Sequence, residues 1–296
     1  MKIHLRLLAT AFLLFSCAAR ASAQAEDFPN LAGTPPKVLL LVHQEFRSGK
    51  ANERRKIEVG ISRACDQLAV PNSWIDLESI SGPPEALFFD PFDSFEQLDT
   101  AFAEWGHIFA ARPELAHMQE ELEALIVAER TIIAVRLDDL GYRPQSIDFS
   151  KARFMRVLEV RLNPGHESDF VEAFRTLSHA YETIKANTPW VVYQVDVGMP
   201  SPTFIVFLPM RALKQNDDLL DWRRGLREVE GEEAAQRSNQ IAREAYLSTV
   251  SDLYALSPET SHVSKDFAEG DPEFWSTKKP VSKPSARKDA DGKSKP

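Results

Sequence analysis

The 296-residue sequence predicts an α+β chain built from two β-α-β-β-α-β repeats whose sheets cover one another. Three observations carry that reading. A shift of 116 residues lays rare residues over one another: Gly49 on Gly165, Trp74 on Trp190, Gly82 on Gly198, Pro84 on Pro200 and Phe88 on Phe204. Leu137 on Leu253 and Leu140 on Leu256 follow at the same shift, and Trp105 meets Trp222 at 117. The hydrophobic periodicity runs through the same order of strands and helices in both halves. Hydrophobic residues at 43% and charged residues at 27% suit a folded globule with a sizeable core.

In the first half, 38–46 is an apolar, β-branched run and reads as a strand, closed by the turn Arg47-Ser48-Gly49. From Lys50 the stripe Ile57, Ile61, Ala64, Leu68 has helical spacing until Pro71-Asn72 breaks it. Cys65 belongs to that helix and reads as a buried core thiol. Residues 74–80 form a second strand, Gly82-Pro83-Pro84 a turn and 87–90 a third strand. Ser94 with Gln97 is a capping-box pattern. It opens a helix with Phe95, Leu98, Phe102 and Trp105 on one side. Another helix carries Leu115, Met118, Leu122, Leu125 and Ile126, and 131–137 is the fourth strand.

The second half repeats this order. Strand 154–162 leads through Asn163-Pro164-Gly165 into a helix marked by Phe170, Phe174, Leu177, Tyr181 and Ile184. Strands 190–197 and 203–208 flank Gly198-Met199-Pro200. Leu219, Leu220 and Trp222 sit on a helical stretch, a further helix covers 234–246, and the last strand lies near 249–255, where a helix is the alternative, with His262 in a C-terminal loop. Each copy is thus a ferredoxin-like unit, antiparallel with both helices on one face. Its bare face needs a cover, and the other copy supplies it. The first repeat spans 37–147 and the second 148–263, with extensions at 24–36 and 264–275.

Val42-His43-Gln44-Glu45 through Gly49-Lys50, and Leu158-Glu159-Val160-Arg161 through Pro164-Gly165-His166, resemble the dimeric α+β barrel superfamily. That group includes antibiotic-biosynthesis-monooxygenase-like and NIPSNAP-like domains. The chain is also similar to uncharacterised secreted bacterial proteins of tandem form. The resemblance covers about 37–263. It implies an intramolecular pseudo-dimeric α+β barrel with a cavity between sheets, and no particular reaction. Chlorite dismutases share the tandem plan and bind haem through a histidine, and no histidine here matches that role.

Side chains alternate across a strand. Leu39, Leu41, His43 and Glu45 share one face of the first strand, and Met155, Val157, Glu159 and Arg161 hold the matching places in the second copy. Trp74, Asp76 and Glu78 share a face, as do Trp190, Gln194 and Asp196. Turned toward the gap between sheets, these faces would line a pocket apolar at one end and charged at the other, fit for a small apolar or aromatic ligand. Equally, His43, Glu45, Glu159 and Arg161 can be a structural ion-pair network, and the two tryptophans core packing.

The first reading of function is therefore a small-molecule-binding protein. The alternative is a barrel-type oxidoreductase or lyase with His43 as base and Arg161 as anion clamp. A third is an interaction protein meeting its partner through an acidic surface. No phosphate loop, dinucleotide fingerprint, zinc motif or nucleophile elbow occurs, and the sequence calls for no cofactor and no metal.

Residues 1–23 have the basic start, apolar run and Ala21-Ser22-Ala23 exit of a secretory signal peptide. The run is too short to span a bilayer, so the chain is expected in the periplasm or outside the cell, without a transmembrane segment. Leu14-Phe15-Ser16-Cys17 is a weak rival signal for lipidation at Cys17. Net charge is −9, and loss of Lys2, Arg6 and Arg20 takes it to −12. The Lys-, Pro- and Ser-rich tail 276–296 holds seven basic and two acidic residues, leaving about −17 on the body. An acidic body excludes nucleic acid as the main partner. The tail reads as a disordered basic extension that can touch an anionic envelope surface.

Overall fold

The computed structural model describes residues 34–276, apart from the side chains of 218–228 and 230. The expected signal peptide, most of the N-terminal extension, nearly all of the basic tail and the side chains of Leu219, Leu220 and Trp222 lie outside the described residues. The elements in chain order are β1 (Val38–Phe46), α1 (Ala51–Leu68), β2 (Trp74–Ser79), β3 (Glu85–Phe92), α2 (Phe95–Ala111), α3 (Pro113–Glu123) and β4 (Ile126–Arg136). There follow β5 (Phe154–Leu162), α4 (Glu167–Thr183), β6 (Val191–Val197), β7 (Thr203–Met210), α5 (Gln215–Ala245), β8 (Tyr246–His262), α6 (Lys265–Glu269) and α7 (Pro272–Trp275). Among the described residues no helix is long and apolar enough to cross a membrane.

The strands close an antiparallel barrel in the order β1-β3-β2-β8-β5-β7-β6-β4. Closure leaves each strand two neighbours, so helices cover the outside only. Inside, Leu39, Leu41, Leu77, Phe89, Tyr193, Phe207 and Tyr254 are fully buried and meet across the axis. An eight-stranded barrel is just wide enough to be filled by such side chains. The inter-sheet cavity expected from the sequence is therefore packed core. One end is plugged by Ile147 and Phe149 from the β4–β5 connection and by Phe267 and Trp275 from the C-terminal helices. Trp275 Nε1 donates to the Ser150 carbonyl at 2.7 Å.

Several element boundaries differ from expectation. α3 ends at Glu123, so Leu125 and Ile126 are not helical, and β4 starts at Ile126. β8 has seventeen residues because it pairs with β5 along its first half and with β2 along its second. His262 is the last residue of this strand and is buried, not in a loop.

The two halves correspond, but not at one constant shift. Ile75 pairs with Phe89 where Val191 pairs with Phe207, an offset of 116 on one strand and 118 on the other. Phe46 pairs with Ile126 where Leu162 pairs with Tyr246, which sets 120 for β4 and β8, and both pairings carry a bulge at that point. The hairpin turn and the following helical segment of the second half are each two residues longer. Phe88 therefore corresponds to Val206 rather than Phe204, and Leu253 to Ile133 rather than Leu137. Gly49 and Gly165 do correspond, and both hold positive φ in the turn after the first strand of each half.

Candidate functional site: a helix–sheet cleft in the first half

The internal correspondence provides a control. α4 buries Phe170, Phe174, Ala180 and Tyr181 against the outer face of its sheet, with Phe170 stacked on Phe204 at 4.1 Å. Under it lies one continuous apolar cluster that includes Val160, Val192 and Val206. α1 buries Arg54, Glu58 and Cys65 at the positions of Phe170, Phe174 and Tyr181, and Ser62 beside them. The apolar stripe read from the sequence, Ile57, Ile61, Ala64 and Leu68, is only half-buried, whereas Cys65 is fully buried as expected. The strands below α1 are polar too. Gln44, Asp76 and Asp90 stand where the second half has Val160, Val192 and Leu208.

Arg54 organises this interface. Its guanidinium lies 2.8 Å from Glu58, 3.4 Å from Asp76 and 3.6 Å from Glu78, and it stacks on Phe46 at 4.5 Å. Thr260 and Ser261 of β8 complete the shell. Thr260 Oγ1 donates to Asp76, and Ser261 Oγ accepts from the Asp76 N–H. Burial raises both the Glu58 and Asp76 carboxyls despite Arg54.

Beside this network the helices stand off the sheet. Only Leu98 and Ala101 of α2 are buried, and Phe102 is 53% exposed. The gap is a cleft of about 450 Å³. Trp74, Phe88, Phe102, Trp105 and Phe109 form its walls, with Leu40, Val42 and Ile61 between them. Trp74 and Trp105 are tilted 5.9 Å apart, and Trp105 stacks on Phe109 at 5.4 Å. Polar groups enter this apolar space. Gln44 donates to Glu129 at 2.8 Å, which leaves its carbonyl Oε1 buried and without a partner. Glu58 Oε1 and Asp90 Oδ1 are likewise shielded and unpartnered. Burial alone pushes the Asp90 carboxyl up to about 8. A buried acceptor left unpaired costs about 1–3 kcal/mol, so three at one cleft need an explanation.

The residues singled out from the sequence fall into two places. Ile75, Leu77, Val191, Tyr193 and Val195 take the inward positions of β2 and β6. Alternation therefore sends Trp74, Asp76, Glu78, Trp190, Gln194 and Asp196 to the outer, helix-covered face, which corrects their expected place between the sheets. Trp74 walls the cleft, Asp76 and Glu78 bind Arg54, and Trp190 packs against Tyr142 and Tyr181 in the second-half core. Asp196 is exposed and Gln194 half-buried.

His43 and Glu159 do face inward and meet at the unplugged mouth, 3.7 Å apart, with Glu85 3.9 Å from the other ring nitrogen. Glu85 accepts a short hydrogen bond from Tyr254. Burial, with the Arg130 charge second, lowers His43 to about 4, so near neutrality the imidazole is uncharged and these contacts are not full ion pairs. Burial also raises Glu85 and Glu159. Glu45 is exposed, and Arg161 keeps an unpartnered Nε. Among the described residues, no ion pair joins Glu45 to His43.

Sequence reasoning missed Gln44, Arg54, Glu58 and Asp90. The signal for two of them was available, since Arg54 and Glu58 meet Phe170 and Phe174 at the 116 shift. Gln44 alternates with His43 and Glu45 and so lies on the other face of the strand, and Asp90 needed the 118 offset that only pairing reveals.

No protein-family model and no curated protein matches the chain. Solved structures do resemble it. An anthrone oxidase-like protein aligns with a TM-score of 0.51 at 13% identity, over 75% of this chain and 91% of that one. A protein described as a monooxygenase from Lactobacillus acidophilus aligns at 0.47 and 6% identity, over 77% and 96%. Chlorite dismutase from Candidatus Nitrospira defluvii aligns at 0.45 and 10%, over 79% and 94%. The first likeness shows the fold, an eight-stranded antiparallel α+β barrel of the kind the resemblance implied. No histidine lines the cleft, so its residues do not fit the axial ligand of a haem iron. Among the described residues no group of three or more His, Cys, Asp or Glu could hold a metal ion.

Proposed function

We propose that the protein binds a small molecule with an apolar or aromatic body in the cleft between α2, α3 and the outer face of β1 and β3. One observation carries this reading: an aromatic-walled cleft is bordered by Gln44, Glu58 and Asp90, each of which buries an unpartnered acceptor, at positions that the second half fills with Val160, Phe174 and Leu208. A fold that needed only stability would close both halves alike. A ligand accounts for both the space and the unpaired atoms. The site lies outside the barrel, not between the sheets.

The test is a thermal-shift screen of aromatic and alicyclic compounds on the wild type and on Val42→Trp, which fills the cleft from its sheet floor. Compounds are expected to stabilise the wild type, quench tryptophan fluorescence and leave Val42→Trp unshifted. No stabilising compound, or equal shifts in both proteins, rejects the cleft as the site. The alternative with His43 as base gains no support. A buried imidazole at about 4 is a weak base near neutrality.

Two further readings belong to this proposal. The halves are tandem ferredoxin-like repeats fused into a pseudo-dimer, supported by the matched bulges and turn glycines. The chain is exported and cleaved after Ala23, supported by the Ala21-Ser22-Ala23 exit. Intact mass of protein recovered outside the cytoplasm is expected to place Gln24 first. A lipid-modified Cys17 at the N-terminus, or retention of Met1, contradicts it.

A further inference from the structure

The cleft has a chemical bias that narrows its ligand. Its lining residues include Glu58, Asp90, Glu123 and Glu129, and no lysine, arginine or histidine. The nearest cation, Arg54, is already engaged by Glu58, Asp76 and Glu78. The unpartnered atoms, Gln44 Oε1, Glu58 Oε1 and Asp90 Oδ1, are acceptors. The orientation of Gln44 follows from its own contact, because Glu129 can only accept and so takes the amide N–H. Gln44 and Glu58 are 6% and 3% exposed, so water does not readily supply the missing donors.

An anion would meet carboxylates here. Burial raises Glu58 and Asp90 in the empty cleft, and a bound cation would favour their charged forms. A protonated amine brings two or three N–H donors, no competing acceptor and the counter-charge the carboxylates lack. Its organic body meets five aromatic rings, whose faces attract cations.

Resting on the cleft reading above, we infer that the ligand is an organic cation: a primary or secondary ammonium group on an apolar or aromatic frame, held among the aromatic walls and the acidic side chains Glu58, Asp90, Glu123 and Glu129. The second half has no equivalent site, because Val160, Phe174 and Leu208 offer no acceptor.

The test uses three probes of one shape: 2-naphthylmethylamine, 2-naphthalenemethanol and 2-naphthoate, measured by calorimetry and tryptophan quenching on the full chain. The amine is expected to bind about tenfold or more tighter than the alcohol, with the carboxylate weakest. Asp90→Asn removes the carboxyl that a bound cation would hold ionised, at nearly constant shape. It is expected to weaken the amine about tenfold and change the alcohol less than about threefold. Glu129→Gln, at the rim, is a second variant that should weaken the amine selectively. If the alcohol or the carboxylate binds as well as the amine, or Asp90→Asn weakens amine and alcohol alike, the cation assignment is wrong while binding in the cleft stands. If none of the three binds the wild type, the cation assignment falls, and the separate compound screen decides the cleft.

Discussion

Replacing Arg54 by Phe is expected to destabilise the protein by about 3–5 kcal/mol, because it strips the cation from buried Glu58 and Asp76 and leaves both carboxyls uncompensated. The same position in the second half is Phe170, and there it is harmless because its neighbours are Phe174 and Val192. Replacing all three at once, Arg54→Phe, Glu58→Phe and Asp76→Val, copies that solution. The triple variant is expected to recover to within about 1 kcal/mol of wild type, or exceed it, since apolar packing often outperforms a buried ion pair. Thr260 Oγ1 also lies 2.7 Å from Ser257 Oγ, a partner that the Asp76 substitution does not remove.

The two designs also differ in their response to pH. Glu58 and Asp76 have raised carboxyls, so the folded state holds protons that the unfolded state releases. Their contribution is complete below the ordinary carboxylate range and is lost as pH rises through the raised folded values. Arg54→Phe removes the charge that favours ionisation, so its deficit is expected to be larger at pH 8.5 than at pH 5.5. The triple variant should be flatter over that interval than the wild type. Urea unfolding at both pH values measures this. A triple variant no more stable than Arg54→Phe would mean that this interface does not accept the apolar solution.

Gly198→Ala is expected to cost about 3 kcal/mol or more, combining a left-handed conformation with overpacking. The glycine has φ +98°, and an added Cβ would sit 2.2 Å from the Thr131 carbonyl oxygen and 2.8 Å from Ile132 Cα. Both are backbone atoms of β4, paired to β6 along the seam that closes the barrel. The strand must therefore move, and no side chain can yield in its place. Gly49→Ala is the control. It also has positive φ, +79°, but nothing stands within 4 Å of its Cβ, so about 1 kcal/mol is expected. Thermal unfolding of both variants checks the contrast. Equal losses would show that backbone conformation, and not the seam, limits position 198.

Much of the architecture was legible in the chain. Period-two apolar runs marked most strands, and glycines marked the turns after β1 and β5. The 116-residue shift exposed the correspondence of the halves because tryptophan and glycine are rare and hold places that other residues fill badly. The sequence also announced that Ser94 would cap α2, and its hydroxyl accepts from the Gln97 N–H. Trp275, the last aromatic residue before the basic tail, is buried in the core plug.

What the chain left undecided was the face each residue would take and where space would remain. Alternation says that Trp74, Asp76 and Glu78 share a face, but not whether that face looks into the barrel or out to a helix. Closure decides it, because an eight-stranded barrel fills its interior with the larger apolar set, Ile75 and Leu77 among them, and turns the other set outward. The candidate site follows from a second tertiary fact. Two helices of similar length and position pack on similar sheets, one through Phe170 and Phe174, the other through Arg54 and Glu58. A cleft is a difference between the volume enclosed and the volume filled, and that difference exists only once the strands, with their offsets of 116, 118 and 120, have set which residues share the enclosure.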